Sequence, residues 1–458
     1  MTFSTLILAA GAGTRMKSTR AKVAHELLDK PMIRWVVEAA KGAGSRETIC
    51  IVGFAREQIE PLVEDTTILI QEERLGTGHA IMIASELLTR ESMPPSLVVL
   101  CGDTPLITPE TITSLVASQQ QSDAAICLLT HLLDEPTGYG RIIRDKGGNV
   151  IRIVEEKDAS DEERLVQECN SGAYCFDVKL LLECLDELQN NNAQGEYYLT
   201  DVVGICVAKG LAVQAFIADA EETQGINDRM QLAHATRVMQ RKINTRHMEA
   251  GVTMLDPDLV WIGPDVILEQ DVELLPLTIL NGVTTVASGS SIGPNTRVIN
   301  STIGKNCRVD ESVLIEVLLE DGVNCGPRAY LRPGTVMKTG SKAGTHVEIK
   351  KSIVGKDSKV PHLSYLGNAT LGDGVNIGAG AITCNYDGVN KNPTSIGDRA
   401  FVGSDAMFVA PVTIGADTVI GAGSVITKDV PDGALAVERA EQVIINGWTK
   451  KHRKEKSE

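Results

Sequence analysis

Aromatic residues are scarce in this 458-residue chain, 3% of the total, which suits a thin core filled by Ile, Val and Ala. The ten cysteines (50, 101, 127, 169, 175, 184, 206, 307, 325 and 384) contain no CxxC pair and mostly sit in apolar runs. They read as buried free thiols of a reducing compartment, against a disulfide or zinc framework. Basic residues are outnumbered, 44 against 60 acidic, for a net charge of −16. Such a field repels nucleic acid and anionic membranes, so a phosphorylated substrate needs a local cluster of Arg and Lys. No apolar run is long enough to cross a bilayer. TLILAA lacks a basic n-region and leads directly into a glycine loop, so it is not expected to be a signal peptide. These absences point to a cytoplasmic protein without nucleic-acid or membrane partners. The basic end KKHRKEKSE reads as a solvated tail.

What is present is a metre. From 396 to 430 every sixth residue is apolar, with Ile396, Val402, Phe408, Ile414, Ile420 and Ile426 in phase. Two residues before such positions stand small or β-branched side chains: Ala400, Ala406, Val412, Thr418 and Ser424. Residues two apart in a strand face one way, so both sets can point into one narrow interior. Gly397, Gly403, Gly415 and Gly421 follow apolar positions and are expected to permit tight turns. Hexapeptide repeats mark a parallel β-helix, and three hexads per 18-residue coil predict a triangular prism. The metre begins loosely after Gly251. Interruptions at 316–318, 338–350 and 384–395 are expected to be loops leaving the coils, where function tends to sit.

The first half alternates short apolar strands with helices, from STLILAA to AAICLLT, and implies a largely parallel sheet covered on both faces. Residues 228–249 contain no Gly or Pro and predict one connecting helix, with Asn227 as N-cap. His234 and His247 on it read as surface or packing residues. The expected division is 1–227, the linker helix 228–249, and 250–458.

LAAGAGTRM sets a glycine-rich turn after a buried strand, with Arg15 inside it and Lys22 beyond. Backbone N–H groups there can approach phosphate oxygens, although a purely structural turn fits the short pattern equally well. Neither the Walker pattern nor GxGxxG is present. In LVVLCGDTPL, Asp103 sits at the end of another strand, where open α/β sheets place ligands. Beside a phosphate loop it becomes a candidate Mg²⁺ ligand.

With these motifs stand QEERLGTGHA, PTGYGRI, IVEEKDA, NNNAQGEYYLTD, QGINDRMQL, LRPGT, VEIKKS, VPHLSYLGNA, NIGAGAITCNYDG and FVGSDAMFVAPV, in that order. Together they resemble the sugar-1-phosphate nucleotidyltransferases, in particular those joined to a hexapeptide-repeat acetyltransferase, over nearly the whole chain. The resemblance implies an α/β nucleotidyltransferase domain, Rossmann-like with a mostly parallel sheet, followed by a left-handed parallel β-helix in a homotrimer. It implies two reactions. Acetyl-CoA would N-acetylate glucosamine 1-phosphate, and UTP would then give UDP-N-acetylglucosamine and pyrophosphate.

By the same resemblance, Leu8, Ala9, Ala10 and Gly11 would belong to the UTP and UDP-sugar site, Arg15 and Lys22 would hold the UTP phosphates, and Gln71, Gly76 and Thr77 would read the uracil. Asp103 and Asn227 would hold Mg²⁺. Gly140, Glu155 and Asn170 would contact the amino sugar. In the second half, His362 would be the general base and Arg332, Lys350, Tyr365 and Asn376 would bind the sugar phosphate. Ala379, Asn385, Tyr386, Ser404, Ala422 and Arg439 would line the acetyl-CoA groove. The chain departs from the family pattern at Ala21 and Ala24, where Pro and Leu are usual, and at Thr345 and His346, where Asn-Phe is common. His346 reads as a packing substitution. Two rivals remain: a single-activity nucleotidyltransferase with a structural or regulatory β-helix, and a non-catalytic scaffold of the same plan.

Overall fold

The computed structural model describes residues 2–452. It divides into two compact units at Met239/Gln240, inside the helix Arg229–Glu249. In the first unit a seven-strand path runs Val213–Ile217, Ile126–Leu132, Glu168–Asp177, Ser96–Cys101, Phe3–Ala9, Thr48–Val52, Thr67–Ile70. The strands Ser96–Cys101 to Thr67–Ile70 are parallel and nearly all apolar, as burial on both faces requires. The sheet is mostly parallel, as expected, with one strand reversed. Glu168–Asp177 runs antiparallel to both its neighbours and pairs with Arg141–Arg144 of an outlying hairpin. Its alternating pattern of buried and half-buried residues fits a partly covered strand.

Phe3–Ala9 lies between Thr48–Val52 and Ser96–Cys101, so the chain leaves its carboxyl end where the strand order reverses. A crevice opens at such a point without further design. The stretch TGHAIMIASELL forms two short helices, Thr77–Ile83 and Ser85–Leu88, that meet at Ala84.

The long helix forms as expected, but Asn227 is not its cap. Asp228 Oδ1 accepts the N–H groups of Met230 and Gln231, each at 2.9 Å, satisfying two of the donors a helix start leaves open. Asn227 turns its side chain toward the crevice instead. His234 is exposed and His247 buried. Farther along the helix, Gln240 Nε2 and Asn244 Nδ2 both donate to Val260 O, at 2.6 and 3.0 Å, joining the helix to the opening coil of the second unit.

That unit is a three-sided parallel β-helix with sheets of 11, 10 and 9 short strands. Val402 pairs with Ile420 one eighteen-residue turn later. All six metre positions from Ile396 to Ile426 are buried, as are Ala400, Ala406, Val412, Thr418 and Ser424.

The glycines that follow the metre positions serve another purpose than the expected turn. A Cβ on Gly403 would stand 2.5 Å from the backbone nitrogen of Ala422 on the next coil, and one on Gly397 2.5 Å from that of Ala416. Close stacking, not positive φ, demands glycine there. The turn falls two residues later, with Arg399, Asp405 and Asp417 at φ 56°, 58° and 55°.

Two expected excursions are absent. At 316–318 the chain passes from Val313–Ile315 to Val317–Leu319 around one corner, with Glu316 at φ 52°. Residues 338–350 continue as Lys342–Thr345 and Glu348–Lys350. These coils lose a residue or two at a corner, which disturbs the metre without extruding a loop. At 384–395 a loop does leave, closed by the isolated bridge Tyr386–Lys391. His346 is exposed on a corner at φ 56°, so it is no packing substitution. Of the basic tail, Trp448–His452 is a short helix, and 453–458 lie outside the described residues.

Candidate active sites

The crevice at the carboxyl ends of the parallel strands is a cleft of about 460 Å³. It is lined by Leu8 to Arg15, Lys22, Gln71, Gly76, Thr77, Asp103 and Asn227, among others. Eleven expected nucleotide-site residues therefore meet in one place, although their sequence positions span more than two hundred residues. Gly13 has φ 57°, and a Cβ there would meet Lys22 Cβ at 2.5 Å, so only glycine lets the loop fold onto the lysine. Gly76 is fixed in the same way, with φ 102° and Tyr197 O at 2.5 Å from a would-be Cβ. Gln71 is buried and donates to Gly76 O at 3.0 Å, and Thr77 Oγ1 accepts from Leu199 N at 3.0 Å.

Charge converges at one end of this cleft. Asn227 Oδ1 accepts from Lys22 Nζ at 2.7 Å and from Arg15 Nη2 at 2.8 Å, while Lys22 also pairs with the Asp103 carboxylate. Ile226 N donates to Asp103 O at 2.9 Å, which places the 225–227 segment against Asp103. Two hard oxygen donors thus face a cation, the chemistry a Mg²⁺ ion takes from a protein when substrate phosphates complete its shell. Among the described residues no group of three His, Cys, Asp or Glu side chains could hold a metal alone.

Gly140, Glu155 and Asn170 form an adjoining cluster outside the lining of this cleft. A Cβ on Gly140 would sit 3.5 Å from Glu155 Oε1 and 3.6 Å from Asn170 Cβ. Burial raises the Glu155 carboxyl above its usual value, with Thr200 Oγ1 donating to it at 3.1 Å in opposition. Cys101 links cleft and cluster. It lines the cleft, donates to Gly172 O at 3.7 Å, and is pushed up to about 12 by burial. Arg74 and Glu196 also line the cleft. Sequence reasoning missed both, although each lies inside a quoted motif.

On the β-helix, the expected residues fall on two corners. Thr345 pairs with His362 and Lys359 with Asn376, so His362 stands level with Ala379 one coil on. Asn376 pairs with Phe401 and Phe401 with Val419, which continues the ladder through Ser404 and Ala422. Small residues follow one another there, on the corner that carries the exposed His362. Arg439 reaches its end, with Nη2 3.4 Å from a would-be Cβ on Gly421.

At the second corner Arg332 donates to Glu348 at 2.6 Å, and Glu348 pairs in register with Tyr365. The 384–395 loop leaves the same sheet and brings Lys391 beside Lys350. That neighbouring amine, and then Arg332, lower the Lys350 ammonium below its usual value. Crowded cations of this kind await an anion. Lys391 was missed in the sequence, although the broken metre marked its loop. Asn385 is buried and bonds Asn368 Oδ1 at 2.9 Å, whereas Tyr386 projects outward, 60% exposed.

An α/β cleft bearing Arg15 and Lys22, followed in the chain by a hexapeptide β-helix, defines a two-part transferase. The Nucleotidyl transferase family matches residues 4–244, and the Bacterial transferase hexapeptide (six repeats) family matches 393–428, giving the β-helix its left-handed class. The chain is 49% identical over 97% of its length to the Bifunctional protein GlmU of Caldanaerobacter subterraneus subsp. tengcongensis, covering 96% of that protein. It is 48% identical over 96% to that of Carboxydothermus hydrogenoformans, and 46% over 98% to that of Trichlorobacter lovleyi, covering 98% of each relative. The chain belongs to the family of bifunctional GlmU proteins.

Proposed function

We infer that this chain is a bifunctional enzyme of UDP-N-acetylglucosamine synthesis, with an acetyltransferase on the β-helix and a uridylyltransferase in the first unit. In the first reaction the amine of glucosamine 1-phosphate attacks the acetyl-CoA thioester carbonyl. His362 takes the amine proton, and the C–S bond breaks to release the CoA thiol. Imidazole suits this work because its ordinary pKa lies near neutrality. Arg332, Lys350, Tyr365, Asn376 and Lys391 hold the sugar phosphate. Ala379, Asn385, Tyr386, Ser404, Ala422 and Arg439 line the acetyl-CoA track.

In the second reaction a phosphate oxygen of N-acetylglucosamine 1-phosphate attacks the α-phosphorus of UTP, and pyrophosphate leaves. The glycine loop, Arg15 and Lys22 bind and orient the phosphates, while Gln71, Gly76 and Thr77 take the uracil and Gly140, Glu155 and Asn170 the sugar. Asp103 and Asn227 would hold Mg²⁺, which when bound supplies charge that screens two polyanions and stabilises the transition state. The working form is a cytoplasmic homotrimer.

One juxtaposition carries the reading. Lys22 is held between Asp103 and Asn227 in a nucleotide-sized cleft, in a chain whose second unit independently gathers Arg332, Lys350 and Lys391. The test is incubation with glucosamine 1-phosphate, acetyl-CoA, UTP and Mg²⁺. Free thiol, pyrophosphate and UDP-N-acetylglucosamine should all appear. Pyrophosphate from N-acetylglucosamine 1-phosphate without any thiol release would select the single-activity rival.

A further inference from the structure

Arg15, Lys22 and Asn227 sit on three separate segments, and the reaction proposed above needs them in one arrangement. One side chain touches all three segments. Arg229, two residues after Asn227, donates from Nε to Met16 O at 3.3 Å and lies 3.3 Å by Nη1 from His25 Nδ1. Met16 closes the turn Thr14–Met16 that carries Arg15. His25 follows the turn Lys22–Ala24, and its N–H donates to Lys22 O at 3.3 Å. A guanidinium has no acceptor, so His25 Nδ1 must accept, which fixes a neutral ring with its proton on Nε2.

We propose that Arg229 and His25 are positioning residues for uridylyl transfer, a clasp that holds the Arg15 and Lys22 turns against the segment bearing Asn227. Neither residue reaches the substrate; both act through the three that line the cleft. His25 and Met16 are 4% and 1% exposed, so the clasp is seated on fixed structure. Its other anchor is equally firm, because His25 O accepts the N–H of Met32, the first residue of the helix Met32–Gly42. The buried ring is further kept neutral by burial itself, then by the Arg229 and Arg20 guanidinium groups, with Glu26 opposing.

The inference rests on the uridylyltransferase reading, and the test separates the two. Wild type, Arg229→Ala, Arg229→Lys, His25→Leu and His25→Gln are compared in the full chain by kcat and KM for UTP, with acetyl transfer as an internal check of folding. Arg229 is exposed, so Arg229→Ala empties no core. Arg229→Ala and His25→Leu should lower the uridylyl kcat about 10-fold to 100-fold, the cost of small misplacement in an oriented site. KM for UTP should change little, because Arg15 and Lys22 are still present. His25→Gln should recover most of the loss, since an amide oxygen can accept the Arg229 proton, and Arg229→Lys should recover part. A wild-type kcat in Arg229→Ala overturns the clasp, as does an equal loss in His25→Leu and His25→Gln. If His25→Leu loses both activities, the Arg229 pair decides. A wild type that releases no pyrophosphate instead overturns the uridylyltransferase reading.

Discussion

Asn227 lines the cleft while its neighbour Asp228 caps the helix, and single substitutions separate the site residues from the structural ones. Asp103→Ala should abolish uridylyl transfer and leave acetyl transfer intact, read by pyrophosphate and free-thiol release from one preparation. Asn227→Ala should likewise lower uridylyl kcat about 100-fold while the melting temperature holds, because Asn227 does not cap the helix. Asp228→Ala should show the reverse, a loss of about 1 kcal/mol in unfolding free energy with activity retained. In the second unit, His362→Ala should remove acetyl transfer alone. Lys350 adds a pH dependence whose sign follows from its lowered pKa. This ammonium, which the proposed function sets against the sugar phosphate, loses its proton before an ordinary lysine would. KM for glucosamine 1-phosphate should therefore start to rise on the acid side of the usual lysine titration. In Lys391→Ala that rise should move to higher pH, while KM near neutrality increases about 5-fold through loss of an exposed cation.

At the scale of the element, Gly403 serves close stacking while the positive φ beside it falls to Asp405. Gly403→Ala forces a Cβ against the backbone of the next coil. It should cost about 2 kcal/mol and lower the melting temperature by about 5 °C, measured by calorimetry. Asp405 already occupies a turn at φ 58°, so Asp405→Gly should stay within about 0.5 kcal/mol of wild type, relief of backbone strain being offset by entropy. The metre was legible because its apolar positions line one interior. The glycine's purpose was not, because the clash it avoids is with a residue one turn away. Likewise a corner shortened by a residue or two and the loop at 384–395 both appear in sequence as a broken metre. Only strand register tells them apart.

For the whole molecule, the proposed function sets each activity on its own compact unit, so a fragment ending at Glu249 should keep uridylyl transfer and lose acetyl transfer. The exposed faces of the β-helix carry Phe401, Val419 and Leu435 at 53%, 42% and 67% exposure, and burial of such a stripe between copies is what a trimer would supply. Sedimentation should give three copies per particle. Dilution that dissociates them should silence acetyl transfer before uridylyl transfer.

Local order was fixed by composition and periodicity alone: apolar runs for the parallel strands, the six-residue metre for the coils, and a stretch free of Gly and Pro for the helix. Those features depend on neighbours in the chain, and so they survive reading in one dimension. Which oxygen Asn227 offers, how Lys391 comes to face Lys350, and why Arg229 touches both the Arg15 turn and His25 depended on folding. Each is a contact between distant segments, set by strand order and corner geometry, and no local pattern encodes it.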